Sequence, residues 1–489
     1  MKQELVVITQ KDVLNLNDPD VDELEIRDKF RSLNIRPIFS NMNSLTVERE
    51  SFSVERESFT LTEQENNFID QHFYHAFIES NEIEHVRESL SNTKGVESVY
   101  IPPPGEDPVQ PNYNSDRSEQ PNSTGNTPSF VDKQIYLGPA PYGIDAEYAW
   151  TIPGGKGEWI RIVDIERAWN IYHEDGASTM HGSCIYNDSN EQNNDHGTSV
   201  VGILSGPHNQ KGVNGICPDS GIGYISTNLF PSSENGGIAN AIDRATTCLS
   251  EGDILVIEVH RPGPRYNYEN HSGQLGYIPV EWWPAEFKAI KNATSKGIIV
   301  VEAAGNGNEW LDDLLYFNPH PDFPATWRNP FARGNMDSGA ILVGAGSPPP
   351  HVNGNYGDDR TRLFSSNWGS NYGNLIDAQG WGESITTCGG GDLFFRDQNS
   401  KYTKSFGGTS GATPMVAGAL ACVQGILRRA GKTLLTPSTA RELLRRTGSP
   451  QIENPNDIGI DVNGTPYLKR IGNRPNLREL ITEALKMSP

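Results

Sequence analysis

The sequence is short of positive charge and of cysteine, and it has no long apolar run. Its 489 residues carry 40 Lys and Arg against 62 Asp and Glu, a formal net charge of −22. So acidic a chain lacks the basic face that a nucleic-acid backbone requires. The same charge disfavours an anionic membrane surface. No stretch of roughly 18 or more apolar residues occurs, so no membrane-spanning helix is expected. The opening MKQELVVITQKDVLNLNDPD reaches acidic residues before any apolar run long enough for a secretory leader. Five cysteines, at 184, 217, 248, 388 and 422, are widely spread with no CxxC pair. That pattern argues against a zinc site and against a disulfide framework. It reads as buried thiols in a reducing compartment, which makes the expected location cytoplasmic.

What is present is a folded-protein composition with wide loops: 35% hydrophobic, with 49 Gly and 33 Pro. Residues 1–102 read as strand, helix and strand, with HFYHAFIE at His72–Glu79 as one strand and IEHVRESL as a short amphipathic helix before a Gly turn. Within this segment Val47–Phe52 is repeated as Val54–Phe59, a slippage in a tolerant loop. Residues 103–132 are dominated by Pro, Asn, Ser and Gly and read as a flexible linker. From residue 133 to 489 apolar strands such as Trp159–Val163, Ile254–Val259, Ile298–Val301 and Ile341–Val343 alternate with helical stretches such as Val280–Lys296 and Pro414–Arg429. That alternation implies an α/β fold, a doubly wound and mostly parallel sheet covered on both faces. Sites in such sheets lie at the carboxyl ends of the strands.

Four strings fall at such places. Ile162-Val163-Asp164-Ile165-Glu166 ends an apolar strand on acid. Asn194-Asp195-His196-Gly197-Thr198-Ser199 puts an imidazole at the start of a helical run. Val301-Glu302-Ala303-Ala304-Gly305-Asn306-Gly307 puts an amide after a buried strand. Gly407-Gly408-Thr409-Ser410-Gly411-Ala412-Thr413-Pro414 puts a hydroxyl at a helix N-terminus, where free N–H groups and the dipole favour a developing oxyanion. In this order, the four strings resemble the subtilisin family of serine peptidases.

The resemblance implies a serine endopeptidase acting on polypeptides through an acyl-enzyme. Ser410 would be the nucleophile, His196 the general base and acid, Asp164 the group that orients His196, and Asn306 an oxyanion donor. It implies an extended substrate lying between Gly236-Gly237 and Glu258-Val259-His260, with Ala303-Ala304-Gly305 as the wall of the primary pocket. Residues 1–102 are similar to a subtilisin prodomain, small and α+β, which would help folding and then act as an intramolecular inhibitor. Val99-Tyr100-Ile101-Pro102 would be its inhibitory tail, with self-cleavage between about residues 100 and 135. Calcium is bound by many relatives; the candidate ligands here are Asp175 and the loop 209–214, but no dense carboxylate cluster is present. The chain departs from the family pattern in four places. Ile165-Glu166 follows Asp164 where a small hydroxyl residue and Gly are usual. His260-Arg261-Pro262-Gly263 is bulky, and Gly411 stands where Met is common. Asn308–Asn335 reads as an insertion that borders the pocket. The alternative reading is a catalytically silent module that binds peptides in the same cleft.

Overall fold

The computed structural model describes residues 2–14, 21–39, 68, 70–108, 123–176, 184–187, 194–228, 237–271, 273–334, 336–350, 352, 359–460 and 464–487. The duplicated segment at 47–59 lies outside them.

The N-terminal part is built from β1 (Lys2–Thr9), α1 (Val21–Ser32), β2 (Arg36–Pro37), β3 (His72–Glu79), α2 (Ile83–Ser91) and β4 (Val96–Tyr100). Its four strands pair antiparallel in the order β2-β3-β1-β4. Side chains alternate faces along a strand, and in β1 both faces are apolar. Leu5 and Val7 join Ile26, Phe30, Leu90 and Val99 in a private core beneath α1 and α2. Val6 and Ile8, with Phe73 and Tyr100, face the other way and belong to the core of the large domain. A sheet with two apolar faces has to be covered twice, so this domain is built to dock.

The large domain begins with α3 (Ala146–Ala149) and β5 (Arg161–Glu166), then β6 (Ile185–Tyr186), α4 (Asp195–Ser205), β7 (Gly221–Ser226), α5 (Ile238–Cys248) and β8 (Ile254–Ile257). A β-ribbon of β9 (His260–Pro262) and β10 (Tyr277–Pro279) follows, then α6 (Pro284–Ser295), β11 (Ile299–Ala303), β12 (Ile341–Gly346) and β13 (Ala378–Trp381). Seven strands form one sheet in the order β13-β12-β11-β8-β5-β7-β6, parallel throughout. After the small sheet of β14 (Ile385–Cys388), β15 (Phe394–Phe395) and β16 (Lys401–Phe406) come α7 (Thr409–Arg429), α8 (Pro437–Arg446), the pair β17 (Ile458–Ile460) and β18 (Pro466–Leu468), and α9 (Leu477–Met487). By length and composition α7 is apolar enough to cross a membrane, but its apolar window is wholly buried. It is the core helix under one face of the sheet, packed against β11, β12 and β13.

The other face carries α5 and α6, and the N-terminal sheet docks on them. Val6, Ile8, Phe73 and Tyr100 share one core with Ile238, Ile242 and Phe287. Polar contacts fix the register: Arg261 Nη2 donates to Glu286 Oε1 at 2.6 Å and lies 3.7 Å from Glu4 Oε2. The insertion at 308–335 meets this docked domain. Phe323 lies edge-on to Tyr100, with ring centroids 5.1 Å apart, Arg87 pairs with Asp322 at 3.2 Å, and Ser98 Oγ donates to the Asp322 carbonyl at 2.5 Å. The aromatic residues of the insertion therefore hold the N-terminal domain.

Two sequence expectations change. The stretch 103–132 is bound at both ends. Residues 103–108 lie in the cleft of the large domain. From Ser123 onward the chain is back on its surface, with Ser123 N donating to the Phe395 carbonyl at 2.9 Å and Phe130 buried against Phe394 and Tyr402. Nor are all five cysteines free thiols: Cys184 and Cys248 form a disulfide, with Cα atoms 6.0 Å apart, while Cys217, Cys388 and Cys422 are free and buried. A separation of 64 residues gives no spacing signal; the pair meets because β6 and the end of α5 come together at the edge of the parallel sheet. A crosslink over so long a loop is expected to stabilise the fold by about 4 kcal/mol. Urea unfolding with and without reductant checks this, and the midpoint should fall on reduction.

Candidate active site

Each motif sits at a carboxyl end of the parallel sheet, where loops leave the strands. Glu166 is the last residue of β5 and Asn306 follows β11. His196 lies in the first turn of α4, and Ser410 in the first turn of α7, whose N-cap is Gly408 at φ +79°. Close approach requires glycine at 197, where a side chain would meet the Ala168 carbonyl and the Trp169 ring; at 411 a side chain would press chiefly on the movable Ile385 δ-methyl.

The acid that meets the imidazole is not the expected one. His196 Nδ1 lies 2.7 Å from Glu166 Oε2, and both groups are buried. Asp164 instead accepts a hydrogen bond from Trp169 Nε1 at 2.8 Å. Residues two apart on a strand share a face, so Asp164 and Glu166 point the same way. Glu166 stands one pleat nearer the carboxyl end and has one more methylene, and that reach brings it to His196. The signal was in the sequence as the departure at Ile165-Glu166: a shift of two residues turns the string into acid, Arg167 and the small Ala168.

Burial dominates the electrostatics. It raises Asp164 to about 7 and pushes Glu166 well above the usual carboxylate range, with the charges of Asp164, Asp107 and Glu258 adding to the effect on Glu166. His196 is lowered to about 4, again mainly by burial. Glu258 is pushed up by burial and by Asp164, while the neighbouring Ser410 hydroxyl opposes the shift. In this closed state the couple is a neutral imidazole beside a carboxyl that resists ionisation.

A chain of contacts joins the four motifs. The His196 ring packs against Phe406, four residues before Ser410, at 5.4 Å between centroids. Asn306 Oδ1 accepts from the backbone N–H of Thr409 at 2.9 Å and from its hydroxyl at 3.1 Å. These bonds turn the Asn306 amide nitrogen away from Thr409, to donate to Gln274 Oε1 at 2.9 Å. His196 Nε2 and Ser410 Oγ are both buried and accept or donate no hydrogen bond of ordinary geometry.

The cleft is filled by the chain's own residues 103–108. Glu106 pairs antiparallel with His260 through two backbone hydrogen bonds of 3.0 Å. Arg261 holds the Pro103 carbonyl, and Gly105 fits where any side chain would strike Ile238 and Val259. Asp107, 5% exposed, lies beside the catalytic candidates: atoms of Asp107, Glu166 and His196 are all within 4.8 Å of one another. The expected tail Val99–Pro102 is not the cleft segment, because Val99 and Tyr100 belong to β4, Val99 in the private core of the N-terminal domain and Tyr100 in the docking core.

The expected substrate walls fare unevenly. Val259 and His260 form the edge against which residues 105 and 106 lie. Glu258 is buried with both carboxyl oxygens unpartnered. Gly237 caps α5, and a side chain there would meet the Glu4 carboxylate of the N-terminal domain. Gly236 lies outside the described residues. Ala303, Ala304 and Gly305 are buried; Ala304 O accepts from Asn371 Nδ2 at 2.6 Å, and Gly305 has φ +90°.

The calcium candidates do not fit that ion. Asp175 accepts from Asn209 Nδ2 at 3.0 Å, from the Val213 N–H at 2.9 Å and from the Tyr402 hydroxyl at 2.9 Å. Adjacent Glu174 faces Lys211 and Arg396, each at 3.3 Å. Donors occupy the places where a calcium ion needs oxygen ligands. Adding EDTA is expected to move the melting midpoint by less than about 1 °C, since hydrogen-bond donors already satisfy the Asp175 carboxylate in this loop.

Comparison with known proteins bears on the family and the fold. The model of the subtilase family matches residues 170–464, more than half of the chain, and begins just after the Asp164–Glu166 strand. Thermitase of Thermoactinomyces vulgaris is 28% identical over 314 residues, covering 63% of this chain and 87% of that protein. An intracellular serine protease of Paenibacillus polymyxa is 25% identical over 344 residues, covering 67% and 84%. Among solved structures, the epidermin leader peptide processing serine protease of Staphylococcus aureus covers 99% of both chains with a TM-score of 0.52 at 15% identity, which speaks to the fold alone.

Proposed function

Since the chain belongs to the subtilase family and is a subtilisin-like serine endopeptidase, we propose that it works through a Glu166–His196–Ser410 triad and is made as a self-inhibited zymogen. The observation that carries the triad is the 2.7 Å contact of Glu166 with His196 Nδ1, which leaves Nε2 for the nucleophile. Ser410 Oγ attacks the scissile carbonyl as His196 Nε2 takes its proton. The same imidazolium then protonates the leaving amine, and water repeats the cycle on the acyl-enzyme. Glu166 fixes the tautomer and stabilises the imidazolium. The Asn306 amide and the Ser410 N–H donate to the tetrahedral oxyanion. Reaction with a fluorophosphonate probe, abolished in Ser410→Ala, tests this reading. No labelling of Ser410 in the processed protein would favour the silent peptide-binding module.

In the closed state the Asn306 amide nitrogen is held by Gln274 Oε1, so releasing the cleft segment is part of arming the site. Asn306→Ala is expected to lower kcat by about 10²–10³ with little change in KM, the loss found for this donor in a subtilisin. Steady-state kinetics on the processed protein checks it.

The zymogen reading is supported by residues 103–108, which occupy the cleft as an antiparallel strand while the rest of the N-terminal domain is held by an apolar core. In this closed state burial favours the neutral forms of Glu166 and His196, while Asp107 of the segment adds to the rise of Glu166 and opposes the fall of His196. Self-cleavage belongs between cleft-bound Pro108 and surface-bound Ser123, a narrower window than the sequence suggested. Two observations on location are opposed. The relatives named as intracellular favour the cytoplasm expected from the sequence. The Cys184–Cys248 bridge favours an oxidising compartment. Counting free thiols in the protein isolated from its own cells tells them apart.

A further inference from the structure

The cleft segment presents an acidic residue to the site, and the site has an answer to it. Asp107 is almost fully buried among carboxyl groups: Glu166 is within 4.8 Å, and the charges of Asp164 and Glu258 reach the same space. A carboxylate in such surroundings needs a counter-charge and hydrogen bonds to be tolerated. It has both. Arg167 Nε donates to Asp107 Oδ2 at 3.1 Å. Gln274 Nε2 donates to the Asp107 backbone carbonyl at 2.8 Å, and Gln274 is itself tied to Asn306. The Arg167 backbone is pinned by Ser226 Oγ, which donates to its carbonyl at 2.5 Å. Arg167 follows Glu166 directly, so whatever holds the general-base couple also aims this guanidinium into the cleft.

We infer that Arg167 is a specificity-determining residue that selects peptides carrying an aspartate where Asp107 lies, with Gln274 holding the backbone of that residue. This rests on reading residues 103–108 as substrate-like. The substrate class is a peptide with a small residue two positions before the aspartate, as Gly105 is, because a side chain there would have to displace the Ile238 and Val259 methyl groups. A lysine at the aspartate position would face Arg167 and is rejected. Alanine cannot accept the hydrogen bond that Arg167 Nε donates to the aspartate, and a site built for a polar group discriminates against the analogue that lacks it.

The test uses the protein as it matures from the full chain, with quenched fluorescent peptides spanning Ile101–Asn112 in which the aspartate is kept or replaced by Ala, Asn or Lys. The aspartate peptide is expected to be favoured in kcat/KM by about 10–100-fold over Ala and Asn, and by more over Lys. In Arg167→Ala that preference should collapse toward one, and Arg167→Glu should invert it toward Lys. Equal rates for all peptides in the parent protein, or an unchanged preference in Arg167→Ala, overturn the inference. A second measurement does not depend on turnover. In the full chain carrying Ser410→Ala, hydrogen exchange at the Glu106 N–H reports cleft occupancy, and adding Arg167→Ala should speed it at least 10-fold; no change overturns the inference. Fluorophosphonate labelling separates the two failures. Labelled protein without aspartate preference refutes the subsite and leaves the peptidase standing, whereas unlabelled protein refutes the mechanism and leaves the exchange measurement to decide the subsite.

Discussion

Replacing Ser410 with Ala is expected to lower kcat on any peptide by about 10⁶ and to leave the chain at full length. The magnitude is the one found for the nucleophile in a subtilisin, and it applies because the geometry leaves no substitute. Around His196 lie the Glu166 and Asp107 carboxyl groups and the Phe406 ring, none of which is a hydroxyl, and burial holds the nearby His260 imidazole neutral. Without the hydroxyl, only the oxyanion donors and substrate positioning remain. Self-processing should fail with it, because residues 103–108 lie in the same cleft. Mass spectrometry of the purified variant reads the outcome: trimming between residues 108 and 123 at the parent's rate would assign that cut to another protease. The fold should survive, since Ser410 Oγ makes no hydrogen bond of ordinary geometry.

Glu166→Gln is expected to cost about 10⁴ in kcat, and Asp164→Asn no more than about tenfold. The amide keeps the shape of the carboxyl but favours the wrong imidazole tautomer and cannot stabilise the imidazolium, a defect of about 10⁴ in a triad of this kind. Asp164 accepts from Trp169 and interacts with the Glu166 side chain, but makes no contact with His196. Burial is the main cause that raises Glu166, and neutralising Asp164 removes only one of the neighbouring charges that add to it. Kinetic constants for both variants decide between the two acids: a collapse in Asp164→Asn with Glu166→Gln near parent activity would return the role to Asp164.

The pair shows where sequence reasoning reached its limit. The strand, its end at the sheet's carboxyl edge and the presence of acid there were all legible, because an apolar run and a polar terminus are local properties. Which of two acids on one face reaches an imidazole 30 residues on is a matter of side-chain length and of where α4 starts relative to β5. The linker shows the same limit. Composition predicted an extended segment, and 103–108 is extended; its partner strand at His260 is more than 150 residues away, and nothing in Pro-Gly-Glu-Asp announces it.

By itself the sequence determined the parallel α/β architecture, through alternating apolar strands and helices, and it determined Ser410, His196 and Asn306 as the residues at stake, because each sits in a string whose small neighbours exist to let other atoms come close. Tertiary structure decided what is non-local. It joined Glu166 to His196, closed Cys184 on Cys248, turned the aromatic insertion toward the N-terminal domain and set Asp107 against Arg167. Each of these contacts depends on distances between elements, which local periodicity does not encode.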